Sequence, residues 1–182
     1  MKLTSVTVRN FRSYVVQEGV SPQTLEVGEG VNLLVGRNNC GKSNLLRALS
    51  LALEDSGGEQ FDPEHDIPTQ LSKRAYPVIT LRFKSERRTD VDNTLLKLAH
   101  DYERSAGAKV TYAENGELVL RVVYRGESGR DESFAVKGMG VKKGDEKKLA
   151  KLLTQFRKCV RFIYLRSGES LNNFLSGAFK EL

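Results

Sequence analysis

Cysteine is scarce in these 182 residues, with Cys40 and Cys159 the only two. Two thiols build no disulfide framework, and one of them sits inside a glycine-rich loop. A disulfide-stapled secreted scaffold is therefore excluded, and a reducing, cytoplasmic compartment is expected. Long apolar runs are missing too. The opening MKLTSVTVRN has no signal-peptide core, and nothing approaches the ~20 apolar residues of a membrane span, so a soluble protein with no membrane partner is expected. Histidine occurs only at His65 and His100, and there is no internal repeat.

What is present suits one soluble globular domain, with 39% hydrophobic and 29% charged residues. The net charge of +6 is uneven: residues 136–166 hold ten Lys and Arg against Asp145 and Glu146, a local excess of eight. Such a stripe either follows a nucleic-acid backbone or forms a solvated helix face.

The most informative stretch is GRNNCGKS, residues 36–43, which fits the phosphate-binding pattern G-x-x-x-x-G-K-[S/T]. Gly36 and Gly41 permit a tight turn, after which backbone N–H groups and a helix dipole converge on phosphate. Lys42 is placed to reach the β- and γ-phosphates, and the Ser43 hydroxyl to bind Mg²⁺. The flanks agree: residues 31–35 (VNLLV) read as a buried strand, and residues 44–53 (NLLRALSLAL) repeat apolar residues at helical spacing. Cys40 is either a reactive thiol or loop filler, and the lack of a nearby His or second Cys favours filler.

Along the rest of the chain, residues 3–9 and 14–20 read as a hairpin, with a further short strand at 25–27. Residues 55–75 carry Gly, Pro and acids without periodicity and read as a flexible loop. There Asp62, Glu64, His65 and Asp66 offer either a metal site or an ordinary polar turn. A strand is predicted over 77–84, and a helix over 90–106 capped by Thr89 or Asp90. A second hairpin is predicted over 109–126 with its turn at Asn115-Gly116, and 133–137 continues the β run. A helix over 145–158, a strand over 160–165 and a helix from Glu169 complete the reading.

The motif VTVRNFRSY, then about twenty residues, then VNLLVGRNNCGKSNLLRAL resembles the N-terminal lobe of ABC-type ATPases of the SMC, RecF and OLD group. FIYLRSGESL resembles that group's Q-loop region, and the pair Asn38-Asn39 looks more like OLD-type members than SMC proteins. The resemblance implies an α/β P-loop NTPase fold with a mixed β-sheet around the P-loop helix. Residues 1–182 would then form the N-terminal lobe of an ATPase head. It also implies that Asn38, Asn39, Cys40, Gly41, Lys42 and Ser43 wrap the phosphates of ATP, with Asn44 at the helix start and Lys42 in the catalytic role. Arg12 would lie near the α-phosphate or adenine, or else be a surface charge. Phe11 is core rather than a stacking platform.

Two departures from that group stand out. Ser167 and Glu169 occupy the place of the Q-loop glutamine, so Glu169 either receives the metal's water shell or simply favours a helix N-terminus. No acidic strand end, signature segment or switch histidine follows residue 165. Phosphoryl transfer needs all those parts together, so the expectation is Mg²⁺-dependent ATP binding with poor turnover. The implied partners are a second head and DNA, in repair or in defence against foreign DNA. A TOPRIM nuclease domain accompanies OLD-type members, and an SMC-like repair head is the alternative. A basic nucleic-acid-binding module without ATPase activity is the reading from another class. A self-contained P-loop kinase or GTPase conflicts with the long β preamble and with the absence of a guanine-reading N-K-x-D sequence.

Overall fold

A computed structural model describes residues 1–16, 19, 21–54, 60–70, 76–86, 89–125, 129–137, 144–160 and 162–163. Its strands are β1 (Lys2–Arg9), β2 (Gln23–Glu26), β3 (Val78–Lys84), β4 (Glu117–Tyr124) and β5 (Arg130–Phe134). They form one sheet in the order β2-β1-β3-β4-β5, and each described pairing is antiparallel. The helices are α1 (Lys42–Leu53), the single turn α2 (Pro63–Asp66), α3 (Asp90–Ser105) and α4 (Glu146–Cys159).

Register puts the apolar residues on one face: Val6 and Val8 of β1 lie beside Leu81 and Ile79 of β3, which lie beside Leu120 and Val122 of β4. Leu45, Ala48 and Leu51 of α1, Leu95, Ala99 and Tyr102 of α3, and Leu152 and Phe156 of α4 join the same buried cluster. The Phe156 ring meets Phe83 and Phe134 edge-on, at 5.1 and 5.7 Å between centroids. The helices thus form one layer and the sheet a second, while the other sheet face carries Thr7, Thr80, Arg121 and Ser133 in a row across four strands. That second face is mixed, since the row is half-buried and Val119 and Val123 of β4 are buried on it.

Helix boundaries follow their caps. Thr89 Oγ1 accepts from Asp92 N at 3.2 Å to start α3, and Asp145 Oδ1 accepts from Lys148 N at 3.0 Å to start α4. The end of α1 is tied to the sheet: Arg130 donates to the carbonyls of Ala52 (2.7 Å) and Glu54 (2.9 Å), and the Tyr124 hydroxyl donates to that of Leu51 (2.6 Å). Burial keeps the Tyr124 phenol protonated by raising its pKa.

Four expectations are corrected. In place of the expected hairpin with residues 14–20, β1 pairs with Gln23–Glu26 on one side and with β3 on the other. Residues 31–35 form no strand, and Val31, Leu33 and Val35 are 97%, 85% and 78% exposed. No described strand offers that run a ladder, and apolar content alone does not supply one. Asn115-Gly116 does not turn a hairpin: buried Glu103 accepts from the N–H groups of Tyr112 (2.7 Å) and Ala113 (3.2 Å), anchoring that stretch to α3. Thr111 and Glu114 then cap each other around a 3-10 turn at Ala113–Asn115. Finally, the segment read as a loop over 55–75 contains α2. The expected strand at 160–165 falls partly, and the helix from Glu169 wholly, outside the described residues.

Candidate functional site

α1 begins differently from its neighbours. Its N-cap is Gly41, with φ of 99°, no side chain caps it, and its first turn holds no acid. The first-turn N–H groups of a helix have no partner within the helix, so here they open onto a cleft. That cleft encloses about 370 Å³ and is lined by Asn38, Asn39, Gly41, Lys42, Ser43 and Asn44. Lys42 Nζ donates to the carbonyls of Gly36 and Arg37, both at 2.7 Å, and lies 3.7 Å from Cys40 Sγ. The ammonium is thereby held at the loop mouth. Asn39 adopts φ of 64°, a left-handed conformation that Asn tolerates better than most residues.

Both glycines of the motif pack closely against a neighbouring side chain, and Gly41 also adopts the left-handed φ that glycine tolerates best. A Cβ on Gly36 would lie 2.6 Å from Cys40 Sγ, and one on Gly41 would lie 2.7 Å from Ser13 Oγ. The second contact joins the two sequence motifs, because Ser13 belongs to NFRSY. Tyr14 donates its hydroxyl to the Gly41 carbonyl at 3.2 Å, and burial raises its phenol pKa so that the proton stays. Asn44 closes the joint, donating to Ser13 Oγ at 2.9 Å and accepting from Arg12 Nη1 at 3.3 Å. Asn44 therefore latches the turn onto the helix start.

The model of the AAA ATPase domain family matches residues 1–170 of this sequence. The chain belongs to that family. One solved structure similar to this AAA ATPase domain comes from work on the structural biochemistry of ATP-driven dimerization and DNA-stimulated activation of SMC ATPases. It superposes with a TM-score of 0.56 at 16% identity, covering 96% of this chain and 91% of that one, a likeness of fold. No curated protein matches the sequence. The expected α/β P-loop NTPase fold is thus present, with helices layered on a sheet.

Among the residues expected in the site, Asn38, Asn39, Gly41, Lys42, Ser43 and Asn44 line one cleft of this AAA ATPase domain. Cys40 is exposed beside it, and Arg12 touches it through Asn44. Glu169 and Ser167 lie outside the described residues. The alternative metal cluster at 62–66 does not form: among the described residues no group of three or more His, Cys, Asp or Glu gathers as a metal site. Instead Asp62 caps α2 and accepts from His65 at 2.7 Å, while Asp66 turns inward.

What sequence reasoning missed is Arg47 and the role of Asp66, named there only as a metal ligand or polar-turn residue. Asp66 is fully buried, and its Oδ1 accepts from Arg12 Nε (2.7 Å) and Arg47 Nε (2.9 Å), its Oδ2 from Arg47 Nη2 (2.9 Å) and Asp62 N (2.9 Å). Burial pushes its carboxyl pKa up, but Arg47, the Asp62 N–H and Arg12 together outweigh that and hold it below the ordinary 3.8. Arg12 itself sits at φ of 47°. That left-handed conformation costs about 1–2 kcal/mol for a side-chain-bearing residue. The Arg12 N–H to Asp66 O bond, at 3.0 Å, holds it there.

Proposed function

We propose that this chain is the ATP-binding N-terminal lobe of an ABC-type ATPase head that processes DNA. The observation that carries the reading is the cleft around the uncapped start of α1, with Lys42 at its mouth. A triphosphate fits the chemistry there: main-chain donors without side-chain competitors, a cationic group, and glycines that keep the cradle clear. The Lys42 N–H nearest Cys40 has only a sulfur acceptor, which a phosphate oxygen replaces with a stronger one. Mg²⁺ fits as well, since it needs few protein ligands besides substrate phosphates, and the exposed Ser43 hydroxyl supplies one. When bound, Mg-ATP supplies the charge that two heads share, and Asn38, Asn39 and Cys40 line its phosphates with backbone groups.

The exposed apolar run at 31–35 supports a head whose sheet is extended by a further strand beside it. ATP then acts as a clamp between two heads, changing how DNA is held. The Asn38-Asn39 pair favours an OLD-type member acting in repair or defence, with any nuclease chemistry residing in a separate domain. The likeness to an SMC ATPase supports the SMC-like alternative. Measuring the mass in solution and the affinity for duplex DNA, each with and without Mg-ATP, tests this. Nucleotide-dependent dimerisation with a change in DNA affinity is expected. DNA binding indifferent to nucleotide would favour the basic binding module instead.

A further inference from the structure

Asp66 grips Arg12 at two points across 54 residues of sequence, the main-chain N–H through its carbonyl and Nε through Oδ1. Arg47, projecting from α1, meets the same carboxylate as a two-pronged pair. Two guanidinium groups thus share one carboxylate. Cationic groups face the buried carboxylate from two sides, which offsets the repulsion it would otherwise offer an anion. Arg12 Nη1 extends to Asn44 Oδ1 at the cleft rim and the guanidinium lies 5.9 Å from the Phe11 ring centroid, while its Nη2 makes no hydrogen bond among the described residues.

We propose that Asp66 is a positioning residue for the nucleotide. By clamping both the backbone and the side chain of Arg12, it aims the free edge of that guanidinium at a phosphate oxygen of a nucleoside triphosphate in the cleft. Asp66 never touches the ligand and acts through Arg12. This rests on residues 36–44 being a nucleotide site, and it gives the segment around α2 a task that its polar, Asp-Pro sequence does not announce. The same clamp sets the NFRSY turn against Gly41, so the Arg12 edge and the helix start face the cleft together.

The test is Mg-ATP affinity of the full chain by calorimetry for wild type, Arg12→Ala, Asp66→Asn and the double variant, well below each melting temperature. Lys42→Ala serves as the reference for a lost site. Each single change is expected to weaken binding about tenfold, the worth of one charge-assisted hydrogen bond. The double variant is expected to be no weaker than Arg12→Ala, since without Arg12 there is nothing for Asp66 to aim. Losses that multiply, or an Asp66→Asn chain that melts lower yet binds as tightly as wild type, would reduce Asp66 to a structural ion pair. Should Asp66→Asn not fold, Arg12→Lys decides. Its ammonium cannot bridge carboxylate and cleft at once, so it should bind like Arg12→Ala, and wild-type affinity there overturns the proposal. Binding abolished by Lys42→Ala but untouched by both Arg12→Ala and Asp66→Asn removes the role of Asp66 alone. A wild-type chain that binds no Mg-ATP overturns the site as well.

Discussion

A methyl group added to Gly41 would meet Ser13 Oγ at 2.7 Å, and φ of 99° is disfavoured for any side-chain-bearing residue. Ser13 can turn away only by giving up its bond from Asn44 Nδ2. Gly41→Ala is therefore expected to cost about 1–2 kcal/mol of stability from the backbone alone. Because the first-turn N–H groups shift with it, it should also weaken Mg-ATP binding at least about tenfold, one charge-assisted hydrogen bond or more. Thermal unfolding and calorimetry read the two effects, and an alanine variant that binds like wild type would contradict the steric account. Residues of this kind are the legible ones: Gly36, Gly41, Lys42 and Ser43 are marked by type and spacing because backbone geometry and phosphate chemistry admit few substitutes. Asp66 was not legible. Its role depends on burial and on two arginines 54 and 19 residues away, and sequence distance conceals both.

Among elements, the three long helices were read within one or two residues, whereas α2 was read as loop and the strand pairings were not read correctly. Helical periodicity reports a face that each helix carries by itself, as in Leu95, Ala99 and Tyr102 of α3 or Leu152 and Phe156 of α4. A strand is defined by its neighbour, so residues 31–35 carry the composition of a strand without a described ladder, and Tyr112 and Ala113 are drawn to Glu103 instead. Among elements the least expected is α2, whose terminal Asp66 joins α1 and the NFRSY turn. The depressed carboxyl pKa of Asp66 gives this junction a pH dependence. Its contribution is complete above the unfolded carboxyl value of about 3.9 and disappears as pH falls through the lower folded value. Unfolding measured from pH 6 down to pH 2 should show wild type losing more stability than Asp66→Asn over the acid limb. Glu103 and Glu132, raised chiefly by burial, act with the opposite sign in both chains and cancel in the comparison. Equal acid losses in the two chains would remove the linkage assigned to Asp66.

For the whole molecule, the layering sets what can meet what. All three long helices cover one face of the sheet, and the NFRSY turn carries β1 directly to the start of α1. The N-terminal strand is in this way built into the nucleotide cleft, which accounts for the two motifs travelling together in the sequence. The basic stretch divides: Lys147, Lys151 and Lys158 of α4 are exposed, whereas Arg157 pairs with Glu132 of β5. No helix among the described residues is long and apolar enough to cross a membrane. The central claim is that the main-chain donors at the start of α1, together with Lys42, hold a nucleoside triphosphate. Titrating the full chain and its Lys42→Ala variant with Mg-ATP by calorimetry addresses that claim most directly. The expected result is saturable one-site binding, weakened about a hundredfold or more in the variant, the worth of two charge-assisted hydrogen bonds. The variant should unfold at nearly the same temperature, because the Lys42 contacts are exposed. Equal affinity in the two chains, or no heat of binding in the wild type, would contradict it.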